Sequence, residues 1–329
     1  MTSPPGVCIL GTGMSVPRRV MRNEELKEFI DTSDEWVFQR TGIRQRYVCG
    51  EGETCSTLAT GAARQALANA KIDPRELDLV IVGTCTPDMP TPSVSCQVVA
   101  NVGAIPCGAM DINLACTGFV GGLNVAHALI RNGPYRKILV IGAEHLTSIL
   151  RWQDRRTSIL FGDGAGAAVL GGCDEPGRGC IYQNIHSDGN HAVDLYCPRR
   201  EADILCPESF NGQLGTVQMN GREVFKFAVS TIEDYLARAM RDCNLTPRDV
   251  ALVIPHQSNA RIIESARERL GFTTEQMFIN IDRYGNTSAA SVGICLHEAT
   301  AAGRIKRGDI VIFIGVGAGL TWATSIWKL

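Results

Sequence analysis

Asp111-Ile-Asn-Leu-Ala-Cys116-Thr-Gly-Phe-Val-Gly-Gly122 reads as a strand end running into a glycine-rich helix, with a thiol at the junction. Phe119, Val120, Leu123, Ala126 and Ile130 recur at helical spacing between Thr117 and Arg131, and Asn132-Gly133-Pro134 stops the helix. Cys116 therefore stands at a helix N-terminus, beside backbone N–H groups that have no intrahelical partner. Those groups and the helix dipole favour an anion, so the thiol pKa is expected below its ordinary value of about 8.5. Most of the 13 cysteines in the chain read as small buried hydrophobes. The position of Cys116, together with its partners downstream, marks it instead as a nucleophile.

Those partners are His256 and Asn286. Asp249-Val-Ala-Leu-Val-Ile-Pro255 is a buried-strand pattern that puts His256 at its carboxyl end, where open α/β sheets place their sites. Asn286 follows a run expected as a second short apolar strand, Met277-Phe-Ile-Asn-Ile281, through the turn Asp282-Arg-Tyr-Gly285. Neutral His and Asn are weak acids, yet both donate hydrogen bonds to an oxygen that is gaining charge. Two such donors beside a thiol suit chemistry that passes through a thioester enolate.

The same order of elements occurs twice. Leu79-Val-Ile-Val82, Cys116 and Ile138-Leu-Val-Ile141 are matched by Ala251-Leu-Val-Ile254, Asn286 and Ile310-Val-Ile-Phe-Ile314. Each half offers a strand, a functional residue opening a helix and a closing strand. Residues 119–130 and 287–301 are rich in Ala, Gly and Ser, as two helices buried against each other need. At 329 residues the chain exceeds the size of a single core, and duplication accounts for that length. The halves are expected to meet near Gly171-Gly172, giving 1–172 with the Cys and 173–329 with the His and Asn.

At these residues the chain resembles the β-ketoacyl-acyl carrier protein synthase III family, the initiating condensing enzymes of fatty-acid synthesis within the thiolase superfamily. The likeness runs over nearly the whole length. It includes Asp31-Thr-Ser-Asp-Glu-Trp36, Arg40-Thr-Gly-Ile-Arg44, Phe161-Gly-Asp-Gly-Ala-Gly166, Met219-Asn-Gly-Arg-Glu-Val-Phe225, Pro255-His-Gln-Ser-Asn259, Gly285-Asn-Thr-Ser-Ala-Ala-Ser291 and Gly315-Val-Gly-Ala-Gly-Leu-Thr-Trp322. The resemblance implies an α/β, thiolase-like, five-layer αβαβα fold of two duplicated halves. It implies Cys116 as acyl acceptor, His256 and Asn286 as the pair stabilising the malonyl enolate, and the N–H groups of Cys116 and Ala318 as oxyanion hole.

Family members usually carry Gly at the position of Ala318, and the methyl matters only if the local φ is positive. Trp36 and Arg155 match the pair that sandwiches the adenine of coenzyme A, although Arg151 and Arg156 stand close enough to compete for the stacking role. Arg40 matches a phosphate contact, Asn259 a pantetheine contact, and Gly221 and Phe225 the pantetheine tunnel. Thr91, with Met89 nearby, stands where acetyl-specific relatives carry a bulky Phe at the end of the acyl pocket. Lys226 and Arg261 are candidates for carrier-protein docking. Pairing of Arg261 with Glu264 at i,i+3 is the local alternative.

The implied reaction is a decarboxylative Claisen condensation of an acyl-CoA primer with malonyl-acyl carrier protein. A coenzyme A thioester is then a substrate, and no cofactor is needed. Thiolases use a second Cys in the terminal glycine loop, and residues 315–319 contain none. Alternatives with the same residues are a specialised condensing enzyme or acyltransferase of secondary metabolism and, from another class, an inactive acyl-binding or scaffolding homologue. The resemblance also implies a two-fold homodimer in which Thr84–Val94 reaches into the neighbour's acyl pocket.

Composition narrows the context. The formal net charge of −2 gives no global pull on nucleic acid or an anionic membrane. An acidic carrier would need a local basic patch, for which Arg151, Arg155, Arg156, Arg199, Arg200 and Lys226 are candidates. Cysteines without CxxC pairs or zinc spacing point away from a metal site and a disulfide framework, and reduced thiols point to the cytoplasm. Met-Thr-Ser-Pro-Pro-Gly lacks the pattern of a secretory signal. Gly11-Thr-Gly13 lacks the third glycine of a dinucleotide loop and reads as a plain turn. Residues 186–216 are polar, with Pro198 and Pro207, and read as a long loop capping the site.

Overall fold

The computed structural model describes residues 6–329. The first half runs β1 (Gly6–Ser15), β2 (Arg19–Arg22), α1 (Asp34–Thr41), β3 (Gln45–Val48), α2 (Cys55–Ala70), β4 (Leu79–Gly83), α3 (Val94–Val102), β5 (Gly108–Ile112), α4 (Gly118–Asn132), β6 (Lys137–Glu144) and β7 (Gly164–Cys173). The second runs β8 (Gly179–Ser187), the two-residue pair β9 (Leu195–Tyr196) and β10 (Gln218–Met219), and α5 (Gly221–Asp242). It closes with β11 (Leu252–Pro255), α6 (Ala260–Leu270), α7 (Ile281–Tyr284), α8 (Ala290–Ala301), β12 (Ile310–Gly317) and β13 (Thr321–Lys328).

The apolar runs are continuous because both faces of each central strand are buried. Side chains alternate across a strand, so Ile81 of β4 packs with Phe119, Leu123, Ile254, Val292 and Phe313 between the sheets. Val80 and Val82 face the opposite way, onto Ala59, Ala63 and Val98 of α2 and α3. In the second sheet Val253, Ile312 and Ile314 pack outward against Ile232, Leu236 and Ile263 of α5 and α6. The result is five layers, helix–sheet–helix–sheet–helix, with α4 and α8 as the buried middle. The small residues of α8 allow this: a Cβ on Gly166 of β7 would sit 2.3 Å from the backbone carbon of Gly293.

Strand order makes the repeat explicit. The first sheet is β1-β7-β6-β4-β5 and the second is β8-β13-β12-β11. In each, a parallel pair (β4 with β6, β11 with β12) is followed by two antiparallel neighbours. The second sheet reduces the counterpart of β5 to a single parallel bridge between Val253 and Met277. The run 277–281, expected as a strand, is therefore not one. Beyond Phe278 the Gln257 side chain replaces a ladder, donating to the carbonyls of Pro255 and Phe278 and accepting from the Asn280 N–H at 3.0 Å. Ile281 then opens α7. The segment 186–216, read as one loop, contains the end of β8, the strand β9 and short 3-10 turns at Gly189–Asp194, Glu201–Asp203 and Pro207–Ser209.

Candidate active site

Between β5 and α4 the chain makes a 3-10 turn, Ala115–Thr117, that presents Cys116. Asn113 Oδ1 accepts the Ala115 N–H at 3.3 Å, and Ala115 takes φ 46°, a left-handed conformation that non-glycine residues rarely adopt. The second half repeats the device. Asn286 Oδ1 accepts the Ser288 N–H at 2.9 Å, and Ser288 also has φ 46°. The counterpart of Asn286 is thus Asn113, and the counterpart of Cys116 is Ala289. Pairing Cys116 with Asn286, as the sequence order invites, is off by three positions. Each half contributes a different member of the same turn to one site.

His256 follows β11, with its N–H donating to the Ile314 carbonyl at 2.7 Å. Its Nδ1 lies 2.7 Å from Ser291 Oγ, which already accepts the Gln257 N–H at 3.3 Å. The Ser291 hydroxyl can donate to Nδ1, and in that tautomer the ring proton is on Nε2. Burial holds His256 down at about 3, so the ring is neutral. The Asn286 backbone is clipped to Leu160 and Gly162 at 2.9 and 3.0 Å. With Oδ1 held by Ser288, the amide of Asn286 presents its Nδ2 donors. Cys116, His256 and Asn286 all line one cavity.

The expected depression of the Cys116 pKa is not found. Burial pushes this thiol up to about 11; the Ser288 hydroxyl and the N–H groups of Cys116 and Ala318 pull it down, while Glu144 pushes it up. Cys116 is buried, and desolvation outweighs the helix start there. The two residues named for the oxyanion hole, Cys116 and Ala318, line the same cavity. Ala318 is absent from the residues with positive φ, so its methyl is accommodated. The tight position is Gly317, whose Cβ would come within 2.8 Å of the Cys116 nitrogen.

Two cavities meet at Cys116. The narrower, about 100 Å³, also meets Phe225, Gly221, Asn259, His256 and Asn286. The larger, about 660 Å³, lies on the other side among Cys85, Leu146, Ile149, Leu195 and Val217, with Ala318 and Ser288 beside the thiol. Ala192, Tyr196, Cys197, Arg199 and Gly215 from the segment 186–216 complete its wall. Asn259 caps α6 and donates to the Arg40 carbonyl at 3.0 Å. The Arg155 guanidinium lies 3.6 Å from the Trp36 ring centre, and that of Arg40 lies 4.5 Å from it. Of the neighbouring arginines, Arg156 is paired with Asp154 at 2.9 Å.

Other expected residues fall elsewhere. Met89 and Thr91 are exposed and line neither cavity of their own chain. Lys226 is exposed on α5, and Arg261 lies 5.6 Å from the Phe225 ring centre. Glu264 pairs with Arg267, not with Arg261. Arg200 is paired with Asp203, and Arg199 belongs to the larger cavity. Among the described residues, Cys49, His145 and Asp163 bring potential metal-ligating atoms within 4.8 Å of one another. The Asp163 carboxylate is already engaged by the N–H groups of Cys49 and Thr147 and by the Thr147 hydroxyl.

Comparison with known proteins matches this architecture. Models of 3-oxoacyl-[acyl-carrier-protein (ACP)] synthase III and of its C-terminal region match residues 110–189 and 240–329. A β-ketoacyl-[acyl-carrier-protein] synthase III of Caldanaerobacter subterraneus subsp. tengcongensis is 47% identical over 321 residues, 97% of each chain. The chain belongs to the β-ketoacyl-acyl carrier protein synthase III family. The crystal structure of the synthase III from Aquifex aeolicus VF5 superposes with a TM-score of 0.92 at 40% identity, covering 98% of this chain and 100% of that one. The priming β-ketosynthase of the R1128 polyketide pathway superposes with a TM-score of 0.91 at 34% identity, covering 100% and 98%.

Within this synthase III fold, several residues around the thiol carry no warning in the sequence. Ser288 and Ser291 sit inside the quoted Gly285–Ser291 run, but only the fold shows that one reaches Cys116 and the other orients His256. Glu144 is fully buried at the end of β6. A charged residue three positions beyond an apolar strand run ordinarily faces solvent, so no pattern singles it out.

Proposed function

We propose that the protein primes chain synthesis by decarboxylative condensation: Cys116 takes an acyl group from coenzyme A, and malonyl-acyl carrier protein then enters and loses CO₂. The resulting carbanion attacks the acyl-cysteine to give a β-ketoacyl thioester. The observation that carries this reading is the meeting of two cavities at one thiol, with the neutral donors His256 and Asn286 on the narrower side. A carbanion made by loss of CO₂ needs no strong base, only donors for the enolate oxygen. On this reading Trp36, Arg155 and Arg40 hold the adenine and phosphates. Gly221, Phe225 and Asn259 line the pantetheine arm, Cys116 and Ala318 form the oxyanion hole, and Lys226 and Arg261 receive the carrier. The protein works in the cytoplasm without a cofactor, and the chain divides into halves at 1–172 and 173–329. A role in priming a polyketide pathway is the second reading, supported by the likeness to the R1128 ketosynthase.

The larger cavity takes the acyl group. Each methylene buried there is worth about 0.8 kcal/mol, nearly fourfold in affinity, so the cavity's depth sets the primer. Thr91, small and exposed on its own chain, closes the partner's cavity in a homodimer and leaves it deep. Incubation with an acyl-CoA panel, followed by malonyl-carrier protein, is expected to give a covalent adduct with acyl chains of six or more carbons at least as readily as with acetyl. Condensed product should follow, and Thr91→Phe should favour acetyl. A chain-length profile of kcat/KM that peaks at two carbons and collapses by six rejects the deep pocket; no adduct with any acyl-CoA rejects the reaction. Sedimentation should give a dimer, and a mass near 35.6 kDa at micromolar concentration would contradict the shared pocket.

A further inference from the structure

Glu144 is a carboxyl group with 0% exposure and, among the described residues, no cation paired with it. Its partners are the hydroxyls of Thr84 (3.3 Å), Thr86 (2.5 Å) and Ser288 (3.0 Å), and the N–H (3.2 Å) and thiol (3.4 Å) of Cys85. Thr84 Oγ1 accepts the Thr86 N–H, and Thr86 Oγ1 accepts the His145 N–H, so both hydroxyl protons are free to point at Glu144. A ring of donors is the environment of a carboxylate, not of a carboxylic acid. Keeping an unpaired carboxylate this deep is costly, and nothing in condensation as described above uses it.

Acylation has an unfilled requirement. The thiol must lose a proton, yet the neighbouring side chains of the proposed triad are donors: His256 presents Nε2–H and Asn286 presents Nδ2. Ser288 is the exception: it lines the larger cavity together with Cys116, and its hydroxyl donates to Glu144 at 3.0 Å. We propose that Ser288 and Glu144 form the proton relay for Cys116, with Glu144 acting through Ser288. As the Sγ–acyl bond forms, the thiol proton passes to Ser288 Oγ and the Ser288 proton passes to Glu144. As the acyl–sulfur bond of coenzyme A breaks, the reverse transfer returns a proton to the departing thiolate. Charge and protons balance, and Glu144 ends as it began.

The titratable groups facing Glu144 are the thiols of Cys55, Cys85 and Cys116, with His145 next in the chain. Burial raises the carboxyl above its ordinary range and keeps it basic enough to take a proton. The inference rests on Cys116 as acyl acceptor, which an acyl adduct on the wild-type protein tests separately. Glu144→Gln keeps an acceptor for the donors but removes the base, and Ser288→Ala removes the bridge without touching Glu144. Each is expected to slow release of coenzyme A in the acylation half-reaction by about 10²-fold. The acid limb of its pH profile should vanish, malonyl thioester decarboxylation should stay within severalfold of wild type, and the double variant should be no slower than either single one. Wild-type acylation with an unchanged pH profile in both variants overturns the relay. Equal loss of both half-reactions overturns it too, since that marks a purely structural role.

Discussion

Cys116→Ala is expected to lose acyl transfer and condensation by on the order of 10⁴-fold or more, as removal of a nucleophile from a cooperating set does. The expectation is sharp because the chain has so many thiols to substitute for it. Of the other cysteines, Cys85 and Cys197 line the same acyl cavity, and burial raises the Cys197 thiol above its ordinary value. Burial first, and the Glu144 carboxylate beside it, push the Cys85 thiol well above its ordinary range. Cys116 is raised too, but there the Ser288 hydroxyl and the N–H groups of Cys116 and Ala318 pull against the rise, whereas every cause acting on Cys85 raises it, which makes Cys85 the poorer nucleophile. Intact mass after incubation with an acyl-CoA should therefore show one adduct on the wild type and none on the variant. An adduct of equal yield on Cys116→Ala would move the chemistry to another residue. Initial rates should follow ping-pong kinetics, since the acyl-cysteine forms before malonyl thioester binds.

Periodicity and composition carried the architecture further than the site. Strands with both faces buried read as apolar runs, and the small-residue stretches could only be helices packed against each other, so the layers follow from local pattern. The run at 277–281 failed because its ladder is replaced by one side chain, Gln257, from elsewhere in the chain. The site was legible where chemistry demands a residue type at an element's end, as at Cys116, His256 and Asn286. It was not legible where function depends on what a side chain touches across the fold. The pKa of Cys116 is the clearest case: the sequence shows the helix start that lowers it, while the burial and the Glu144 carboxylate that raise it come from tertiary contacts. Arg261 is similar, because only the fold shows Glu264 committed to Arg267.

His256→Ala and Asn286→Ala are expected to separate the two half-reactions. Both residues present donors to the narrower cavity, so each deletion should slow malonyl decarboxylation by roughly 10²–10³-fold, the usual effect of removing an oxyanion donor. Acylation of Cys116 should survive in both, because the Ser288 hydroxyl and the N–H groups of Cys116 and Ala318, which pull the thiol's pKa down, are untouched. The pH dependence follows from the same geometry. Burial holds His256 at about 3, far below its ordinary value of 6.5, so the ring stays neutral from pH 5 to pH 9 by this shift. Decarboxylation by the wild type should then show no inflection near 6.5. Ser291→Ala removes the hydroxyl that holds Nδ1, frees the ring to adopt the other tautomer, and should lower decarboxylation more than acylation. Single-turnover release of coenzyme A and of CO₂ measures the two steps independently. If His256→Ala lost acylation as completely as decarboxylation, His256 would be the base for the thiol and not a donor to the enolate.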